Sequence, residues 1–254
     1  MKILEIQNVT KRFGGLAALK DVSFEVRVEE IKAVIGPNGA GKTTLFDVLT
    51  GIQKPTDGKL YLKGKDIGQL RPHQITSMGM IRTFQMIKLF EGMTVLENVM
   101  VGCHSRFSSG LLSNGLCLKR ARRENRRIVE EAYEILREVG LETRAYELGT
   151  NLPYGQQRML ELARALASRP DVLLLDEPAA GLNQYETEEL SQLLGKIRKS
   201  GITILVVEHD MGLVMGISDE IIVLDYGEII ARGTPSQVQN DPRVIEAYLG
   251  IEAD

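Results

Sequence analysis

The chain has 254 residues, a formal net charge of −3 and two cysteines, Cys103 and Cys117, without a CxxC spacing. This length suits one large α/β domain or two small ones. The net charge argues against a general binder of nucleic acids or anionic lipids. The two cysteines argue against a zinc site or a disulfide framework and favour a reduced, cytoplasmic setting. No apolar run approaches the roughly 20 residues that cross a bilayer, so any membrane role is expected to come through partners.

The amino-terminal part of the chain contains short candidate strands. Residues 3–6 and 22–26 alternate between apolar and polar side chains, and residues 60–62 follow a Thr-Asp-Gly turn. Alternation predicts one solvated face, so these strands are expected to form an antiparallel patch beside a parallel core. Phe13 is predicted to lie in the turn between the first two strands, where it could pack on the sheet edge or stack on an adenine ring.

A glycine-rich segment lies between a predicted buried strand, residues 31–35, and a predicted helix, residues 44–49. Its residues are Gly36, Pro37, Asn38, Gly39, Ala40, Gly41, Lys42 and Thr43. This strand, loop and helix order is the context of a phosphate-binding P-loop, because glycines let backbone amides approach an anion and the helix start adds partial positive charge. Lys42 can reach the outer phosphates and the Thr43 hydroxyl suits magnesium. The sequence therefore predicts a nucleoside triphosphate site.

Between residues 83 and 167 the periodicity becomes helical. One apolar stripe with helical spacing predicts an amphipathic helix that is ended by Gly140. The stripe consists of Ile128, Ala132, Ile135, Leu136 and Val139. Residues 103–115, which are rich in serine and glycine, predict a mobile loop.

The α/β alternation resumes after Pro170. Predicted elements are buried strands at residues 172–175 and 202–207, a helix at 186–199, a hairpin of 221–224 with 229–231, and a closing helix at 243–249. No internal repeat is found, and no linker is long enough to separate domains. The chain is therefore predicted to form one α/β core with a helical insertion.

Acidic residues follow the strand at residues 172–175. Asp176 is placed to supply a carboxylate for magnesium, and Glu177 is placed to polarise a water that attacks the γ-phosphate. His209, at the end of the next buried strand, could hydrogen-bond the same phosphate or be structural. Gln85 could complete the ring around the attacking water. A strand that ends in acids is a weak signal alone, and the upstream P-loop makes it a strong one.

The order of motifs along the chain resembles that of the ATP-binding subunits of ABC transporters. The resemblance covers essentially the whole chain. The motifs are the P-loop, the Q-loop at Gln85, the signature at residues 152–156, which opens a helix predicted through Leu166, the Walker B strand that ends at Asp176, the carboxylate Glu177, the D-loop at residues 179–183 and the switch histidine His209.

This resemblance implies an α/β fold of the P-loop NTPase class, with a RecA-like parallel core sheet, an antiparallel β subdomain and a helical insertion specific to ABC proteins. It implies a single ABC ATP-binding domain over residues 1–254, with the core at 1–84 and 168–254 and the helical subdomain at about 85–167. The implied cofactors are ATP and Mg²⁺. The residues implied to hold them are Phe13 at the adenine, Gly36 through Thr44 at the phosphates, and Thr43, Gln85 and Asp176 at the metal.

The resemblance also implies partners. Two ATP-binding subunits would close head to tail, so that Tyr154, Gly155 and Gln156 of one signature would contact ATP held by the P-loop of the other. The helical insertion would dock two transmembrane permeases, and an external solute-binding protein would act indirectly. Nucleic acid is not an expected partner. The expected location is the cytoplasmic face of the inner (plasma) membrane, as a peripheral subunit.

Several phrases are similar to the LivG type of ATPase subunit in branched-chain amino acid importers, which usually works with a sister ATPase. They lie at residues 82–85, 93–99, 179–183, 209–211, 214–216 and 224–227. ATPases of urea or other amide importers and of the lipopolysaccharide exporter remain alternatives. A DNA-repair ATPase would carry long heptad segments or a DNA-binding domain, and a small-molecule P-loop kinase would not explain the signature helix.

Two positions depart from the general transporter pattern. The signature usually reads Leu-Ser-Gly-Gly-Gln, so Pro153 replaces a serine and Tyr154 replaces a glycine. Proline removes a hydroxyl and a backbone donor but still suits the first turn of a helix. Asn183 stands where the D-loop usually has aspartate. The composite site that uses this signature is therefore expected to hold ATP less tightly than its counterpart across a heterodimer.

Overall fold

The computed structural model describes residues 1–103 and 119–249. Cys103, the first residue of the predicted loop, instead ends a helix and is buried, whereas residues 104–115 of that loop and the second cysteine, Cys117, lie outside the described residues. Within those two ranges, no helix combines the length and apolar character that crossing a bilayer requires.

Strands and helices are mixed along the described residues, with consecutive strands at the amino terminus and consecutive helices between residues 95 and 167. The strands are β1 (Lys2–Phe13), β2 (Leu16–Arg27), β3 (Ile31–Ile35), β4 (Asp57–Leu62), β5 (Lys65–Asp66), β6 (Met80–Arg82), β7 (Val172–Asp176), β8 (Thr203–Val207), β9 (Glu220–Asp225) and β10 (Glu228–Gly233). The helices are α1 (Lys42–Leu49), α2 (Pro72–Ser77), α3 (Val95–Cys103), α4 (Lys119–Glu138), α5 (Tyr154–Ala167), α6 (Gln184–Lys199), α7 (Met211–Ile217), α8 (Pro235–Gln239) and α9 (Pro242–Leu249), with short 3₁₀ turns at Glu142–Arg144 and Gly149–Asn151.

These elements belong to two units. The first comprises Met1–Arg82, Asp171–Ala180 and Thr187–Asp254, and the second comprises Thr83–Pro170 and Gly181–Glu186. The first unit holds both sheets, and the second holds α3, α4 and α5.

The central sheet of the first unit has the strand order β10-β9-β3-β8-β7-β6. The pairs β3/β8, β3/β9, β7/β8 and β6/β7 are parallel, and β10 closes the sheet as an antiparallel hairpin on β9. β3, β7 and β8 are buried at every position, which explains their continuous apolar sequences. Because these strands are parallel, their carboxyl ends meet at one edge of the sheet, where ligands of open α/β sheets bind.

The second sheet, with the order β2-β1-β4-β5, is antiparallel throughout, as predicted for the amino-terminal strands. The expected position of Phe13 in a turn is wrong, because β1 extends to Phe13, which pairs with Leu16 across a two-glycine turn. The alternation of apolar and polar residues covers only the beginning of β1. The register of β1 against β2 shifts between Lys2 and Leu4 and again between Ile6 and Val9, and a strand with such irregularities does not keep a regular alternation.

The second unit is helical, as the periodicity of residues 83–167 indicated. In α4, Ala132 and Leu136 are buried on the predicted stripe, and the helix ends before Gly140, which has a φ of 72°. α3 packs closely on α5 at Gly102, where an added Cβ would lie 2.1 Å from the Arg164 carbonyl oxygen. These contacts hold α5, the helix opened by the signature, against α3.

Candidate active site

The P-loop lies between β3 and α1, as predicted. Gly36, Gly39 and Gly41 have φ angles of 150°, 83° and 107°. At Gly36 the neighbouring strand leaves no room for a side chain, because an added Cβ would lie 2.0 Å from the Leu224 carbonyl oxygen. The loop thus leads directly into the amino terminus of α1, an arrangement that favours phosphate binding.

Lys42 is the cation of this loop. Its side chain is buried, and its ammonium group donates hydrogen bonds to the carbonyl oxygens of Gly36 at 2.7 Å and Pro37 at 2.9 Å. Burial lowers the pKa of Lys42, and the nearby Glu177 and Asp176 oppose this effect by raising it. An anionic phosphate in the loop would compensate the buried charge further.

Asp176 ends β7 at the same edge of the sheet and is buried. Its Oδ2 accepts a hydrogen bond from Arg82 Nη2 at 2.7 Å, and Arg82 Nη1 donates to Asp47 Oδ1 at 2.7 Å. Sequence reasoning assigned no role to Arg82. Arg82 lies at the end of β6, and the pairing of β6 with β7 places it beside Leu174, two positions before Asp176. A charged residue at the end of a strand is the signal that could have identified it.

Glu177 follows Asp176 and has a φ of 48°, in the left-handed region that non-glycine residues rarely adopt. Its Oε1 lies 2.8 Å from His209 Nε2. The side chain of Glu177 is 19% exposed and that of His209 40% exposed, so solvent reaches both. The structure thus brings Glu177 and His209 into direct contact, and strain of this kind is concentrated at functional sites.

The other nucleotide-site candidates in this unit are accessible. Phe13 is 46% exposed at the end of β1, and the Lys11 ammonium nitrogen lies 4.8 Å from the centre of its ring. Thr43 is exposed and Thr44 half-buried in the first turn of α1. No group of three or more His, Cys, Asp or Glu side chains among the described residues could hold a metal alone. The oxygen donors of Thr43 and Asp176 fit Mg²⁺, which commonly completes its shell with water and substrate phosphates.

The signature lies in the second unit, where Pro153 is the N-cap of α5 and Tyr154 its first residue. An added Cβ at Gly155 would lie 2.2 Å from Glu186 Oε1, and one at Gly181 would lie 2.7 Å from the Tyr154 ring. Glu186 in turn accepts a hydrogen bond from the Asn183 N–H at 2.9 Å. The signature and the D-loop glycine therefore pack against each other through small residues.

Gln85 also lies in the second unit, and its backbone is fixed by the buried Arg158 of α5. Arg158 donates to the carbonyl oxygens of Phe84 at 3.0 Å and Gln85 at 2.9 Å, and to Glu161 Oε2 at 2.8 Å. Burial raises the pKa of Glu161, and Arg158 opposes this effect. Sequence reasoning assigned no role to Arg158, although a charged residue on the apolar face of the signature helix was a visible signal.

Comparison with known proteins agrees with this geometry. The family model described as "ABC transporter" matches residues 19–180, and the model described as "Branched-chain amino acid ATP-binding cassette transporter" matches residues 228–254. The chain is 47% identical over 249 residues to the high-affinity branched-chain amino acid transport ATP-binding protein LivG of Salmonella typhimurium, with 98% of each chain covered. It is 46% identical to the corresponding protein BraF of Pseudomonas aeruginosa, again over 98% of each chain.

Solved structures give the same result. A nucleotide-free ATP-binding cassette from an ABC transporter superposes with a TM-score of 0.86 at 34% identity and covers 100% of both chains. A cassette in its ADP conformation superposes with a TM-score of 0.85 at 33% identity, covering 99% of this chain and 100% of that one. The chain therefore belongs to the ABC transporter family of ATP-binding proteins.

Proposed function

We propose that this chain is the ATP-binding and ATP-hydrolysing subunit of an importer for branched-chain amino acids. The observation that supports hydrolysis best is the contact of Glu177 with His209, 2.8 Å apart, in the same unit as the P-loop. The proposed solute follows from the names of the LivG and BraF relatives, whose length this chain matches.

In the proposed mechanism, the amides of the P-loop and the Lys42 ammonium group bind the phosphates, and Phe13 stacks on the adenine. Glu177 accepts the proton of the attacking water at a carboxylate oxygen, and His209 hydrogen-bonds the γ-phosphate. The full set proposed to bind ATP is Phe13, Gly36, Pro37, Asn38, Gly39, Ala40, Gly41, Lys42, Thr43 and Thr44, with Tyr154, Gly155 and Gln156 provided to the partner subunit's ATP.

Magnesium is proposed to accompany ATP and to neutralise charge that develops on the phosphate oxygens. Thr43, Asp176 and Gln85 would hold it. Arg82 limits the freedom of the Asp176 carboxylate through its bond to Oδ2 at 2.7 Å. Arg158 limits the freedom of the Gln85 backbone.

The proposed assembly contains a second ATPase subunit, two permeases and, indirectly, an external solute-binding protein, on the cytoplasmic face of the membrane. In it, residues 1–254 act as one ATP-binding domain, with the core at 1–84 and 168–254 and the helical subdomain at about 85–167. ATP-driven closure of the two ATPase subunits would move the permeases, and hydrolysis would reset them.

The test is phosphate release from MgATP without any added phosphoryl acceptor. Glu177→Gln should lower release by at least about tenfold while ATP binding persists, because the amide cannot act as a base. The matched control is Asp171→Asn, which changes a carboxyl group just before the opposite end of β7 and should leave release unchanged. Release within about twofold of the parent in Glu177→Gln would show that another base acts.

The solute is tested separately. The chain is co-expressed with the candidate permeases and ATPase partner, reconstituted into vesicles and supplied with the cognate binding protein. Leucine, isoleucine or valine should stimulate phosphate release, whereas urea should not. Stimulation by urea alone would assign the complex to the amide importers.

A further inference from the structure

Glu208 is a buried acid that the proposed mechanism does not use. It lies between the end of β8 and His209, and its side chain is only 2% exposed. Among the residues that the structure describes, no ion pair to Glu208 is present within 4.0 Å. A buried carboxylate without a cation needs hydrogen-bond donors to remain favourable in this position.

Backbone N–H groups supply these donors. Oε1 accepts a hydrogen bond from the Ala179 N–H at 2.7 Å. Oε2 accepts from the His209 N–H at 2.7 Å and from the Asp210 N–H at 3.0 Å. The two carboxylate oxygens therefore bind two different chain segments, one that follows β7 and one that follows β8.

These segments carry the two contacting side chains of the candidate site. The parallel pairing of β7 with β8 ends at Asp176 opposite Val207, one residue before Glu177 and two residues before His209. Beyond that point the Glu208 carboxylate ties the segments together. Ala179 lies two residues after Glu177, and the Ala180 N–H donates to the Glu177 carbonyl oxygen at 3.1 Å, so the bond to Ala179 constrains the Glu177 backbone.

The segment after β8 is constrained in the same way. Asp210 is the N-cap of α7, and its Oδ1 accepts a hydrogen bond from the Leu213 N–H at 2.9 Å. Glu208 thus holds the peptide groups on both sides of His209 against the start of a capped helix. The two fixed segments hold the backbone of His209 in place relative to that of Glu177, and the contact between the two side chains is made from these fixed positions.

We propose that Glu208 is a positioning residue that fixes His209 relative to Glu177, because it accepts hydrogen bonds from backbone N–H groups of the segment after β7 and of the segment after β8. Only the kinetic consequence of this inference rests on the proposed function. The geometric consequence concerns the isolated chain.

The geometric test is NMR of the histidine rings in Glu208→Gln. Glutamine keeps the shape of the side chain, but its amide nitrogen cannot accept a hydrogen bond, so at least one of the segments is released. The sequence contains three histidines, so their Cε1–H resonances can be assigned with His209→Gln. We expect the His209 resonance to shift or broaden, while that of the exposed His73 of α2 stays in place.

The matched control is Glu30→Gln. Glu30 also accepts a backbone N–H, that of Arg27 at 2.6 Å, but it lies at the amino end of β3. It should leave the His209 resonance unchanged. An unchanged His209 resonance in a folded Glu208→Gln would overturn the proposal. If that variant does not fold, Glu208→Asp replaces it, because the shorter carboxylate keeps both acceptors but cannot span both segments.

The kinetic test separates positioning from a general structural role. Glu208→Gln should lower kcat about ten- to hundredfold with KM for ATP within about twofold, because misplacement of catalytic groups affects the reacting step. In a His209→Gln background the same substitution should cause a clearly smaller loss, because only the effect on the Glu177 backbone remains. Equal losses in both backgrounds would refute action through His209. Failure of the parent chain to hydrolyse ATP would refute the proposed function instead, and the NMR result would still decide the role of Glu208.

Discussion

Replacement of Arg158 by methionine tests the buried ion pair beneath the signature. The side chains of Arg158 and Glu161 are each 3% exposed, and Nη1 of the arginine lies 2.8 Å from Oε2 of the glutamate. Methionine has a similar length but removes the charge and the donors to the Phe84 and Gln85 carbonyl oxygens. Removal of one partner from a buried pair costs about 3–5 kcal/mol, and we expect the low end of this range here, because Arg164 and a hydrogen bond from the Phe84 backbone still favour the charged form of Glu161.

Two further variants separate the contribution of the buried charges from that of the hydrogen bonds to the carbonyl oxygens. Glu161→Gln also removes one charge of the pair, but its amide oxygen can still accept a hydrogen bond from Arg158, which keeps its two carbonyl bonds, so we expect a smaller loss of about 1–3 kcal/mol. The double variant Arg158→Met with Glu161→Leu removes both charges, so its loss should be smaller than that of Arg158→Met alone. The remaining loss should be about 1–3 kcal/mol, because the Phe84 and Gln85 carbonyl oxygens still lack their donors.

The cost of Arg158→Met should also depend on pH. Burial already raises the pKa of Glu161, and loss of Arg158 removes an opposing effect, so the folded-state pKa rises further. A folded-state pKa above the unfolded value means that the folded chain binds the extra proton, and stability falls as pH rises through the interval between the two. The loss should therefore be larger at alkaline than at acidic pH.

Urea unfolding of the parent and the three variants, followed by circular dichroism at acidic and alkaline pH, measures both effects. A loss below about 1 kcal/mol for Arg158→Met, equal at both pH values, would refute the argument. Equal losses for the single and the double variant would show that the carbonyl bonds, and not the buried charge, dominate.

Other substitutions test the site directly. The molar mass of isolated Glu177→Gln, measured by light scattering, should not change when ATP and Mg²⁺ are added, because dimer formation is expected to need a sister ATPase. A doubled molar mass would show that the chain pairs with itself. Gly36→Ala should abolish ATP binding in fluorescence titrations, because its Cβ would lie 2.0 Å from the Leu224 carbonyl oxygen. In Gly39→Ala the added Cβ meets no atom within 4 Å, so ATP binding should weaken by only the roughly 1–2 kcal/mol that a left-handed alanine costs. Equal losses of ATP binding in the two variants would contradict the steric argument. Pro153→Ser should strengthen ATP-dependent association with the ATPase partner by up to about 1.5–3 kcal/mol, and unchanged association would contradict the predicted weak site.

The parts of the site that sequence predicted are local in the chain. The P-loop is a contiguous segment, Asp176 ends a buried strand, and Glu177 and His209 lie within two residues of the end of such a strand, which its apolar sequence marks. Parallel pairing of β3, β8 and β7 then brings the strand ends to one edge without further information.

The supporting residues were not predicted because their partners are distant in sequence. Arg82 binds Asp176 across 94 positions, and Arg158 binds Gln85 across 73. Nothing in the local sequence specifies the partner of either arginine. Such partners become apparent only when the sheet order and the path of α5 are known.

The backbone of Glu177 gives a separate reason to assign it chemistry. Its φ of 48° costs a non-glycine residue roughly 1–2 kcal/mol. The conformation turns the chain back after β7, so that the Glu177 N–H donates to the Val207 carbonyl oxygen at 2.8 Å. Glycine or asparagine would suit this backbone better, but neither supplies the carboxylate that lies 2.8 Å from His209. Backbone preference alone therefore does not explain a glutamate here, whereas the proposed role of Glu177 as a base would.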